Sequence, residues 1–135
     1  MANLNDICKA ITEEVDHALA AAVVDLESGL LLGVAHHVTY FNQSFLDSIA
    51  AASVEIFRGT GVKTVESLIS QLRNEEPRSH IEDLHFSTDK THHFMTVVPN
   101  KPSALAILVT RKKVRLGMGW TSLQNKLAEI ADACP

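Results

Sequence analysis

Apolar side chains recur along this chain in two rhythms, and the switch between them divides it into helices and strands. Over residues 4–19, Leu4, Ile7, Cys8, Ile11, Val15 and Leu19 fall three or four apart, the spacing of one helical stripe, with Asn3 or Asn5 to cap its start. An apolar run over residues 21–25 then stops at Leu26-Glu27-Ser28-Gly29 and resumes over residues 30–35. A turn carrying acid, hydroxyl and glycine between two short apolar runs predicts a β-hairpin, because glycine accepts positive φ and Asp or Ser can bond the turn backbone. Helical spacing returns over residues 42–57 through Phe45, Ile49, Ala52 and Ile56, with Asn42 or Ser44 as caps. Arg58-Gly59-Thr60-Gly61 interrupts it before Val62, Val65, Leu68, Ile69 and Leu72 start a new stripe. Two interior glycines cost about 2 kcal/mol relative to alanine, which predicts a kink or a clean break. Pro77 ends the segment by turning its preceding residue away from helix.

Three strands are predicted next. Residues 81–87 alternate, with Leu84 and Phe86 on one side and Asp83, His85 and Ser87 on the other. A turn at residues 88–90 leads to a strand over 91–98, closed by Pro99-Asn100-Lys101-Pro102-Ser103. Residues 104–110 are nearly all apolar, as befits a central strand covered on both faces. Leu116, Trp120, Leu123, Leu127, Ile130 and Cys134 predict a last helix. The order is helix-strand-strand-helix-strand-strand-strand-helix. Short connections favour antiparallel neighbours, so the fold class is α+β, with one five-stranded, mainly antiparallel sheet and helices on its faces.

Composition narrows the function classes. At 135 residues, with 46% apolar and 21% charged side chains, the chain reads as a single packed domain spanning residues 1–135. A net charge of -4 argues against nucleic acid as a partner. The longest unbroken apolar stretch, residues 18–24, is far short of the ~20 residues of a membrane span, so no membrane insertion is expected. The amino terminus lacks the basic start and apolar run of a secretion signal, which points to a cytoplasmic location. Cys8 and Cys134 then read as buried, reduced thiols.

No residue pattern supports catalysis, a metal or a cofactor. Gly59-Thr60-Gly61-Val62-Lys63-Thr64 lacks the glycine directly before lysine, and the preceding strand, that a phosphate loop requires. His36-His37 and His92-His93 are adjacent pairs that point to opposite faces of a strand, so neither can close on one ion without help. Ser28 belongs to turn chemistry, and Glu13-Glu14 and Glu75-Glu76 to ordinary surface charge.

Two features point instead to protein contacts. Phe45, Leu46, Ile49, Ile56 and Phe57 spread around more of their helix than one core stripe needs, and Ala50, Ala51 and Ala52 allow close approach. The strand over residues 81–87, if it ends the sheet, offers unpaired backbone groups to another chain. The dimer or partner interface is therefore assigned to Phe45, Leu46, Ile49, Ser53, Ile56 and Phe57 of the helix and Ile81, Asp83 and His85 of the strand. Arg111, Lys112, Lys113 and Arg115 form the one concentrated charge run, readable as a solvated loop or as a docking patch for an acidic protein surface.

This order of elements, with Ala21-Ala22-Val23-Val24-Asp25-Leu26-Glu27-Ser28-Gly29-Leu30 at the hairpin, Leu116-Gly117-Met118-Gly119 opening the last helix and the apolar strand 104–109 between them, resembles the roadblock family of dynein light chains and bacterial GTPase regulators. The resemblance covers residues 4–133 and implies a profilin-like/roadblock three-layer sandwich, with the middle helix on one face and the terminal helices on the other. It also implies a homodimer joined through the middle helix and third strand, and a small Ras-like GTPase as partner, activated in some members without an inserted arginine. Arg58 is accordingly read as an ordinary helix-end arginine. Residues 59–80 depart from the family as an unusually long connection. The function expected is a non-catalytic dimeric regulatory or scaffold module for such a GTPase; the alternatives are a small-molecule-sensing domain or a scaffold subunit of a motor or larger complex.

Overall fold

The computed structural model describes residues 3–78 and 81–135. Expectations falling on residues 1–2 and 79–80, the amino terminus and the close of the long connection, lie outside the described residues.

Asn3 caps the first helix, α1 (Leu4–Glu14), by accepting the Asp6 N–H at 2.9 Å. The helix ends five residues before the stripe does. His17 takes a left-handed φ of 66°, and Ala18 and Leu19 join the first strand, β1 (Ala18–Asp25). Helical spacing through Val15 and Leu19 loses here to pairing: β1 is hydrogen-bonded on both sides, and Arg111 N–H extends the ladder to the His17 carbonyl at 2.9 Å.

The hairpin to β2 (Leu31–His36) turns as its chemistry dictates. Asp25 accepts the Glu27 N–H at 3.0 Å and the Ser28 hydroxyl at 2.8 Å, and Gly29 adopts φ 75°. Those hydrogen bonds hold the Asp25 carboxyl below its ordinary pKa. At Gly33 in β2, α1 presses on the backbone, because a Cβ there would stand 2.6 Å from that of Leu4.

Asn42 caps α2 (Gln43–Arg58) through the Phe45 N–H at 2.9 Å. The glycine break is clean: α2 ends at Gly59, and a separate helix, α3 (Thr60–Leu72), starts there. The connection to β3 (Asp83–Ser87) thus holds a helix of its own. β4 (Thr91–Val98) and β5 (Lys101–Arg111) are joined by Pro99-Asn100, with Asn100 at φ 63°; the closing turn is tighter than the five residues expected, and β5 starts earlier. The last stripe is two helices, α4 (Leu116–Gln124) and α5 (Leu127–Ala133), because the Lys126 N–H reaches back only to the Leu123 carbonyl.

The sheet order is β2-β1-β5-β4-β3, with every neighbouring pair antiparallel. β5 lies at its centre and is buried from Ala104 to Thr110. One face carries α1, α4 and α5 over Ala21, Val23, Phe94, Ala106 and Leu108. The other carries α2 over Ala20, Val24, Met95, Leu105 and Ile107. The fold is the three-layer roadblock sandwich, with the middle and terminal helices on opposite faces.

Burial at 1% exposure pushes the Cys8 thiol up to about 12. Only the thiolate attacks a disulfide. Cys8 is therefore expected to stay unreactive toward a chromogenic disulfide reagent at about pH 8 in the native protein and to react on denaturation, checked by absorbance with and without denaturant.

Candidate protein-interaction site

α2 rests on the sheet through its carboxy-terminal half and lifts from it at its start. Ala50, Ser53 and Phe57 are buried, with Phe57 at 0% exposure and the Ser53 hydroxyl bonded to the Ile49 carbonyl at 2.9 Å. Phe57 and Ser53, expected at an interface, are therefore buried within the single chain, because the helix turns them inward toward the sheet. Phe45 is 39% exposed, Leu46, Ile49 and Ile56 are half-buried, and Ala51 and Ala52 are exposed. These residues form the accessible face of α2.

Two apolar clefts run along that helix. One, of about 210 Å³, lies between the start of α2 and β1-β2, lined by Leu19, Ala22, Leu31, Phe41, Phe45 and Val109 among others. Small alanines on β1 leave the room, and Phe41 stacks on Phe45 at 4.6 Å to wall it. The second, also about 210 Å³, opens on the other flank between Ile49, Ala52 and Ile56 and the strand residues Phe86, His93 and Met95. Phe45, Ile49, His93, Ile107 and Val109 line both, so the trough is continuous under the helix. One helix is too narrow to cover this face of a five-stranded sheet.

β3 borders the second cleft and ends the sheet. Ile81 and His85 are half-buried there, Asp83 is exposed, and Asp83 accepts the Thr96 hydroxyl at 2.5 Å. His85 and His92 share a hydrogen bond at 3.1 Å. His93 points to the opposite face, stacked on Phe86 at 4.4 Å, so the adjacent histidines diverge as strand geometry requires. Burial lowers the His93 pKa, helped by His85 and His92. Among the described residues no three His, Cys, Asp or Glu side chains converge to hold a metal.

The basic run gains a second segment from the fold. Lys112 Nζ donates to the Thr88 carbonyl at 2.8 Å, and its N–H donates to the Lys90 carbonyl at 3.1 Å. Lys90 thus joins Arg111, Lys112, Lys113 and Arg115 at one end of the sheet, five of the chain's 12 lysines and arginines. None of the five forms a salt bridge among the described residues. Arg58 is placed otherwise: its guanidinium donates to the Pro102 carbonyl at 2.8 Å.

Sequence reasoning missed the outer face of α3. Val65, Leu68 and Leu72 are 55%, 52% and 85% exposed, a stripe of spacing three and four on a helix that also buries Glu66 and Ser70. The signal was present in the apolar spacing; what hid it was which side of that helix would meet the protein.

The chain is thus a roadblock-fold domain with an open helix face, a strand edge at β3 and a basic end. No protein-family model matches the sequence, and no curated protein does. Solved structures do match in three dimensions. MglB of Myxococcus xanthus is similar over 96% of this chain and 85% of its own, at a TM-score of 0.68 and 16% identity. A Roadblock/LC7 domain from Streptomyces avermitilis is similar over 97% of each chain, at 0.69 and 11%. The gliding protein MglB of Thermus thermophilus is similar over 99% of this chain and 95% of its own, at 0.66 and 16%. At these identities the likeness is one of fold.

No helix among the described residues is long and apolar enough to cross a membrane.

Proposed function

We propose that this chain is a homodimeric, non-catalytic regulatory or scaffold module that acts in the cytoplasm on a small Ras-like GTPase. The observation that carries the reading is the trough beside α2, open along Phe45, Ile49, Ala52 and Ile56 and bounded by the free edge of β3. A second copy placing its own α2 alongside and its β3 against that edge would cover both at once. The solved structure of MglB with tetrameric arrangement, similar at a TM-score of 0.70, gives the fold a precedent for self-association. The basic end, Lys90 with Arg111, Lys112, Lys113 and Arg115, is then the docking patch for an acidic surface on the GTPase.

The test mixes the protein with small Ras-like GTPases from the same genome and measures binding and the rate of GTP hydrolysis. Binding to one of them with an altered rate is expected. Lys112→Glu with Lys113→Glu is expected to weaken that binding at least about tenfold at low salt, with less loss at high salt, because rim charges act mainly through screened attraction. Absence of binding to any of them removes the GTPase assignment; unchanged affinity in the double variant removes the basic end from it.

A small-molecule sensor is the second reading, favoured by the apolar cleft of about 210 Å³ at the start of α2. An apolar compound copurifying with the protein, detected by mass spectrometry, would favour it.

A further inference from the structure

The free edge of β3 has a definite register. Val97 N–H donates to the Glu82 carbonyl at 2.8 Å, and Thr88 N–H donates to the Thr91 carbonyl at 2.9 Å, so even-numbered residues of β3 bond inward to β4. By alternation, the backbone groups of Asp83, His85 and Ser87 face outward. The next outward N–H, that of Ile81, is taken by the Glu66 carboxylate at 3.2 Å, and residue 88 begins the turn. Three outward residues remain, with His85 in the middle.

We propose that two copies of this chain pair through β3 in the one register that uses all three positions, setting His85 against its symmetry mate, and that protonation of these histidines releases the dimer. The proposal rests on the dimer reading above and adds its register and its control. Antiparallel pairing about a two-fold axis at His85 places Asp83 opposite Ser87, so no carboxylates confront each other. Only the histidines meet themselves, at the ~5.5 Å typical of a hydrogen-bonded pair.

The surroundings of His85 oppose charge. His92 on β4 touches it at 3.1 Å, Phe94 lies at 5.2 Å, and Lys112 of the loop between β5 and α4 is the nearby cation. α4 packs on Phe94 through Gly119 and Trp120, which carry no charge. Asp83, the carboxylate of this strand on the same face, is turned to Thr96. Burial, then His92 and Lys112, lower the His85 pKa in the single chain, and a facing imidazolium would lower it further. The lone chain therefore binds more protons than the dimer. The dimer's advantage is complete above the lone-chain pKa of His85, below the ordinary histidine range, and is lost as pH falls through it.

Sedimentation analysis from about pH 8 to about pH 5, with circular dichroism confirming the fold at each pH, tests this. The dissociation constant is expected to rise roughly 10- to 100-fold across the range, from up to two protons taken up per dimer. His85→Phe is expected to remain dimeric with the dependence largely removed, and His85→Lys to be weakly associated throughout. A dimer whose affinity does not change with pH, or the same dependence in His85→Phe as in the wild type, overturns the inference and leaves the dimer standing. A monomer at about pH 8 overturns both.

Discussion

Truncating Phe94 to alanine is expected to lower the free energy of unfolding by about 3–5 kcal/mol, a loss at the upper end for a single core change. The ring is at 0% exposure in the middle of β4, beneath α4. Trp120 meets it edge-on at 5.2 Å, and Gly119 lies so close over it that any Cβ there would collide with the ring. Removing the ring would leave a void directly beneath Gly119 and Trp120. Against the roughly 5–15 kcal/mol of a typical domain the loss is severe, and it should appear as a fall of about 10–20 °C in the thermal midpoint. Gly119→Ala tests the same contact from the other side. It is expected to cost about 1–3 kcal/mol alone and less in a Phe94→Leu background, because the smaller side chain leaves room for the methyl group. Full additivity of the two changes in denaturant melts would show that the packing of α4 does not depend on this pair.

Ala52→Glu is expected to weaken self-association at least about 100-fold, worth roughly 2.7 kcal/mol, while leaving the fold of the single chain unchanged. Ala52 is exposed on the accessible face of α2, beside Ile49 and Ile56 and above the second cleft. A carboxylate there is solvated in a monomer and unpaired in an apolar contact with a second α2. Sedimentation mass reads the association, and circular dichroism with thermal melting reads the fold. A variant that keeps the wild-type mass at micromolar concentration would exclude α2 from the interface. The contrasting control is Phe57→Ala, a core change at 0% exposure that should lower stability first.

Legibility of this protein in its amino-acid order follows the range of the forces involved. Local chemistry was readable: Asn3 and Asn42, each one of two caps the sequence offered, the Asp25-Ser28-Gly29 turn, an interruption at Gly59 and the apolar run of β5 each follow from side chains acting within a few residues of themselves. The alternation that put Leu84 and His85 on opposite faces of β3 was equally plain. Boundaries that depend on distant partners were not. Residues 18–19 continue a helical stripe in spacing, and only the ladder between β1 and β5 makes them strand. Phe57 and Phe45 are indistinguishable as apolar helix positions, yet the tilt of α2 on the sheet buries one and exposes the other. Lys90 joins the basic run only because two turns, far apart along the chain, hydrogen-bond to each other. Sequence alone thus determined the kind and order of most elements, though not their ends, and which side chains are apolar. Tertiary structure decided which apolar faces find a cover, because burial is settled by what packs opposite a residue and periodicity records only the side on which it stands.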